Sequence, residues 1–197
     1  NANLVAKALE RARFHEAAGR TVEFVALAKK AASTLAFNGT PAREVHSGIM
    51  DAPKYHRAQK LGEAAMDRFL SGSTDLIEVV YARFISASRQ VPDHLVLLPV
   101  GAGDESAEAA PAGDFIFHPD AASLLASLIP QTVKTALFSA LLQTSAGEHA
   151  ARRIAMKNAT DAASDMGKAL NTAYNRGRQG KITQEISEIV GAVEAMA

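Results

Sequence analysis

The side chains able to do chemistry in this 197-residue chain are scattered along it. The six histidines, His15, His46, His56, His94, His118 and His149, show no metal-ligand spacing. With no cysteine there is no thiolate nucleophile, thiolate metal site or disulfide framework, and a reducing compartment is allowed. Gly101-Ala102-Gly103 is the nearest approach to a dinucleotide loop, but the third glycine is missing and an acidic stretch follows instead of a helix. Glu148 beside His149 is better placed to pair with Arg152 one helical turn on. Glu44, Asp75 and Glu78 read as surface or strand-end residues, and no serine nucleophile motif occurs. The expectation is a chain with no catalytic site, no metal and no cofactor of its own.

Composition narrows the class further. Lys plus Arg and Asp plus Glu number 21 each, which disfavours a general nucleic-acid or membrane-surface binder. No uninterrupted run of 18 apolar residues predicts a membrane span. The opening Asn1-Ala2-Asn3-Leu4 reads as the cap and first turn of a helix, as if the chain were truncated at its N-terminus.

The elements up to residue 119 alternate. Residues 3–18 predict a helix with Leu4, Val5, Ala8 and Leu9 on one face, ending at Gly19. Thr21–Ala28 predicts a strand, 29–38 a helix and Arg43–Ile49 a weaker strand. From Pro53 a third helix gathers Ala58, Leu61, Ala65, Met66, Phe69 and Leu70 on one side. Leu76–Ile85 and His94–Val100 are strands too close for a crossover, hence antiparallel. Residues 101–113 predict a mobile loop and Phe115–His118 a last strand. Together these predict an α/β fold: a Rossmann-like, partly parallel sheet with flanking helices, lacking its first strand.

After Asp120, a plausible helix cap, only Pro130 interrupts a helical pattern that runs to the end. Residues 131–196 alone would form a helix about 100 Å long. Ala155, Ala159, Ala162, Met166, Ala169 and Ala173 form a thin heptad seam, and Ile182, Ile186, Ile189, Val193 and Met196 form a bulkier one in shifted phase. Gly147, Gly167, Gly177, Gly180 and Gly191 together cost such a helix about 4–5 kcal/mol relative to alanine. That is comparable with the whole net stability of a small domain, about 5–15 kcal/mol, so the helix is expected to need partners. Arg176, Arg178 and Lys181 form a basic collar, with no acid between Asp165 and Glu185. A collar of this kind suits acidic loops on a partner.

Three stretches carry a family likeness: Glu148–Asp161 (EHAARRIAMKNATD), Tyr174–Gln179 (YNRGRQ) and Ile182–Ile189 (ITQEISEI). They resemble the C-terminal helix of the gamma subunit of F-type ATP synthases. Gln90-Val91-Pro92, Leu97-Leu98-Pro99 and Phe117–Asp120 resemble the same subunit's α/β domain, so the likeness covers the whole chain. One departure is Gly191-Ala192-Val193, where the family usually has Ser-Gly-Ala.

The resemblance implies a foot domain over residues 1–119 and a shaft helix over 120–197, one half of an antiparallel coiled coil whose N-terminal helix is not in this chain. It implies a rotor inside a hexamer of alpha and beta subunits, with an epsilon subunit and a membrane c-ring as further partners and no nucleic acid. Arg178 and Gln179 match positions that touch an acidic beta-subunit loop. Arg152, Thr183 and Glu185 match coupling positions, and Phe115 matches the epsilon contact. The implied location is peripheral, on the cytoplasmic face of a bacterial inner membrane, with the mitochondrial matrix or another energy-transducing membrane as the alternative. The alternative is a nucleotide-binding α/β module with a dimerising coiled coil.

Overall fold

The structure, a computed structural model, describes residues 2–101 and 120–196. In order these form α1 (Ala2–Ala17), β1 (Val25–Ala26), α2 (Lys29–Phe37), β2 (Glu44–Val45), α3 (Tyr55–Leu70), β3 (Ile77–Ser86), β4 (Arg89–Leu98) and α4 (Ala121–Ala195). The cap at Asn1, most of the 101–113 loop and the strand at Phe115–His118 lie outside the described residues, as does Phe115 itself. The chain divides into two units, Asn1–Ala150 and Ala151–Ala197, and the division falls within α4.

In the first unit, β1 and β2 pair in parallel and β3 and β4 pair antiparallel, as the spacing required. The parallel strands are only two residues each, far shorter than the apolar runs around them. Phe24, Leu27 and Ile49 go instead to the core from outside the strands. Helices α1 and α2 stop where glycine lets the chain turn left-handed. Gly19 has φ 75° and Gly39 φ 80°, and the next amides, of Arg20 and Thr40, bond back to His15 O and Leu35 O at 3.1 Å.

β3 and β4 are joined by the two-residue turn Ala87-Ser88. The Gln90 side-chain Nε2 donates to Ser86 O and Ala87 O at 2.9 and 2.8 Å, closing that turn without an Asn-Gly pair. Pro92 lies in β4 opposite Ala82. A proline is tolerated there because the amide it lacks would have pointed away from β3, toward an edge with no partner strand among the described residues.

The core forms where α3 and the first part of α4 meet the strands. Val133 and Leu137 pack on Leu97 and Leu98, with Leu61, Met66 and Phe69 of α3 closing around them. Ala58, Ile49 and Leu141 form a second cluster beside Phe138, whose ring meets Tyr55 edge-on at 5.5 Å. Val5, Ala26 and Leu35 form a third between α1 and α2. The predicted faces needed two corrections. On α1 the buried positions are Val5, Ala12 and His15, while Leu4 is only half-buried. On α3, Leu70 is 81% exposed because it follows Phe69 at the helix end and rotates out of the contact.

Asp120 does cap α4. Its carboxylate accepts from the Ser123 amide at 2.8 Å and the Ser123 hydroxyl at 2.6 Å, and these bonds hold its pKa below the usual aspartate value. Pro130 stays inside the helix. α4 contains a window of mean hydropathy 1.3, long and apolar enough to cross a membrane by length and composition, which a rule of unbroken apolar runs passes over. Val133, Leu137, Ala140 and Leu141 commit part of the helix's apolar surface to the core described above.

Candidate functional site

In the second unit, every residue from Ala151 to Met196 is exposed. Ile182, Ile186, Ile189, Val190, Val193 and Met196 are 47–82% exposed, a density of uncovered aliphatic side chains that isolated helices do not sustain in water. The Ala seam and this distal stripe differ by one residue of register. Continuing the seam past Ala173 reaches positions 183 and 190, whereas the stripe runs through Ile182 and Ile189. One residue is about 100° around an α-helix, so the two seams face different directions.

The predicted contact residues flank the distal stripe on both sides. Arg178 and Glu185, seven residues apart, share one edge, with Lys181 beside them. Gln179 and Thr183, four apart, share the other edge, and the Thr183 hydroxyl donates back to Gln179 O at 2.9 Å. Arg176, seven residues before Thr183, falls on that second edge, so the three cations lie on both sides of the stripe. Among the described residues no ion pair engages Arg176, Arg178 or Lys181, whereas Lys168 holds Asp165 at 3.2 Å. Arg152 lies 26 residues before Arg178, roughly 39 Å along the helix, so it cannot act at the same contact. Among the described residues no group of three His, Asp or Glu could hold a metal ion.

Glu78, expected to be a surface or strand-end residue, is the second residue of β3 and so stands at a strand end, but it is not at the surface. Its side chain is 11% exposed and lies between β3 and α1. Arg11 grips it in fork geometry, Nη2 to Oε1 at 2.6 Å and Nε to Oε2 at 3.0 Å, and His15 Nε2 lies 3.1 Å from Oε1. Burial pushes the Glu78 carboxyl up, but the bonds and charges of Arg11 and His15 outweigh it and hold the pKa below the ordinary glutamate value. Arg11 also lies over the Phe14 ring at 4.7 Å. No local signal could have revealed this cluster, because Arg11 and Glu78 are 67 residues apart. Its groups are mutually satisfied, and it reads as a structural lock between α1 and the strands.

Residues 1–196 match the family model described as ATP synthase. The chain is 38% identical over 197 residues to the ATP synthase gamma chain of Nitratidesulfovibrio vulgaris, covering 100% of this chain and 68% of the relative. The gamma chain of Gemmatimonas aurantiaca is also 38% identical, and that of Leptospira biflexa 36%, at the same coverage. A chain in the cryo-EM structure of Euglena gracilis mitochondrial ATP synthase, OSCP/F1/c-ring, rotational state 3, superposes with TM-score 0.56 at 18% identity. That match covers 96% of this chain and 67% of the other, and it bears on the fold alone.

The chain belongs to the ATP synthase gamma chain family, the non-catalytic central-stalk subunit of the F-type enzyme. It is a peripheral part of a membrane-associated complex. Membership sets aside the alternative of a nucleotide-binding module with a dimerising coiled coil.

Proposed function

We propose that this chain couples transmembrane proton flow to ATP synthesis and hydrolysis on beta subunits by rotating as the shaft of the complex. Residues 1–119 act as the foot and 120–197 as one strand of the shaft. The partners are a hexamer of alpha and beta subunits, an epsilon subunit met at Phe115, and a membrane c-ring. The site lies on the cytoplasmic face of a bacterial inner membrane. The observation that supports this most is the exposed distal helix, whose aliphatic stripe and cationic collar lack occupants among the described residues.

The mechanism follows from asymmetry. Identical beta subunits around a helix with one apolar stripe meet different surfaces, so each angular position favours a different conformation in each neighbour. Turning the helix by a third of a revolution exchanges those preferences. In this reading Arg178 and Gln179 meet an acidic beta-subunit loop, while Arg152, Thr183 and Glu185 contribute to coupling. Charge at the collar sets registration and the stripe supplies a low-friction apolar bearing.

The test is reconstitution. A gamma subunit carrying this chain, assembled with alpha and beta subunits, is expected to show ATP-driven rotation of a probe on the foot. ATP hydrolysis without rotation would end the proposal. The variant Arg178→Glu leaves the body's unfolding transition in place, because Arg178 is exposed and outside the first unit. It lowers the ATP yield obtained for a given proton gradient, and an unchanged yield would remove the collar from the mechanism.

A further inference from the structure

Within the first unit, the edge of β3 that faces away from β4 is held by two consecutive side chains of α4. The Ala82 amide donates to the Thr144 hydroxyl oxygen at 3.0 Å, and the Phe84 amide donates to the Gln143 side-chain oxygen at 3.2 Å. Ala82 and Phe84 stand opposite Pro92 and Gln90 on β4, and their amides point away from that partner strand. Without α4 these two donors would have no partner in the sheet.

Both acceptors are pre-aimed. The Thr144 hydroxyl spends its proton on Ala140 O at 2.9 Å, which leaves its lone pairs for Ala82. The Gln143 side-chain nitrogen lies 3.3 Å from the Ser139 hydroxyl, which turns the amide oxygen toward Phe84. One turn on, the helix comes so close to the hairpin that a Cβ on Gly147 would meet Gln90 Cγ at 3.0 Å and Ala82 Cβ at 3.9 Å. Nothing in the apolar pattern of α4 asks for Gln-Thr after Leu141-Leu142, so the interruption needs this contact to explain it.

We propose that Gln143 and Thr144 are positioning residues that fix the angular setting of α4 on the body, so that torque passes between them without slip. The reasoning is directional. The contacts of Val133, Leu137 and Leu141 resist separation, but apolar contact is indifferent to small rolling of one surface on another. A hydrogen bond weakens steeply with angle, so the two bonds resist roll about the helix axis. This inference rests on the coupling role proposed above.

The experiment uses the double variant Gln143→Leu/Thr144→Val, of similar volume without the acceptors, beside Thr144→Ser, which keeps the hydroxyl. In the purified chain, amide exchange at Ala82 and Phe84 is expected to quicken about tenfold in the double variant. Thr144→Ser should stay near the parent rate at Ala82. In the full-length subunit assembled with its alpha, beta and membrane partners, the double variant should retain ATP hydrolysis. It should pump fewer protons per ATP and widen the angular spread of a probe on the foot, and Thr144→Ser should restore both. Parent-like exchange at the two amides would overturn the clasp. Quickened exchange with unchanged pumping and angular spread would overturn its role in torque. Should the double variant not assemble, Thr144→Val alone is read by the same criteria. Loss of coupled pumping in the parent subunit would instead refute the coupling role, while the amide measurement still decides the clasp.

Discussion

Replacing Leu137 with Ala destabilises the body by about 3 kcal/mol, a large part of the about 5–15 kcal/mol that holds a domain of this size together. Leu137 is 5% exposed and packs where α4 meets Leu97 and Leu98, with Val133 one turn behind it. Truncation removes the methyl groups that fill this junction, and the surrounding side chains, drawn from α3, β4 and α4, cannot all collapse inward together. Leu142 provides the control. It is the same residue type on the same helix but 43% exposed, and Leu142→Ala should cost under about 1 kcal/mol. Urea denaturation of both variants measures the difference. Equal midpoints would mean that this junction is not the core of the body.

Glu78→Ala should destabilise the body by about 2 kcal/mol at pH 7, because it leaves the Arg11 guanidinium partly buried without its carboxylate. The figure stays below that for a fully buried pair because the Arg11 side chain keeps 20% exposure and can turn toward water. Glu78→Gln, which keeps the shape and one acceptor, should lose less. The pH dependence has a definite sign. The folded-state pKa of Glu78 is depressed below the model-compound 4.5, so its contribution is fully present above about that pH and is lost as pH falls through the lower folded value. The gap between parent and Glu78→Ala should therefore narrow as pH falls below 4.5. A gap that fails to narrow below that pH would show that Glu78 is not held as the anion. Arg11→Met tests the other half of the pair and should shift the Glu78 titration upward.

How much of this could be read in advance depends on whether the signal was local. Helix α3 was legible because its amphipathic repeat lies within one segment, although it starts at Tyr55 with Lys54 as its cap and leaves Pro53 outside the helix, and Asp120 was legible as a cap because the bond it makes spans three residues. The hairpin β3–β4 was legible because its connection is too short for anything but an antiparallel pair. The parallel strands were overestimated. β-branched runs at Thr21–Ala28 and Arg43–Ile49 predicted full strands, and only Val25–Ala26 and Glu44–Val45 pair, their flanks being used in loops and core contacts. Propensity reports the side chain, while pairing depends on what lies alongside.

The sequence by itself determined the helices, the antiparallel hairpin, the long C-terminal helix with its two seams and the cationic collar, all of them patterns of residue type along one segment, carried by periodicity and spacing. The family was legible through the likeness of Glu148–Asp161, Tyr174–Gln179 and Ile182–Ile189 to a known subunit. Only the tertiary structure decided that Glu78 is gripped by Arg11 and His15, and that Gln143 and Thr144 close the edge of β3 that faces away from β4. The partners are separated by 67 residues in the first case and by 59 and 62 in the second. A hydrogen bond is made by proximity in space, and proximity between distant segments exists only once the chain has folded.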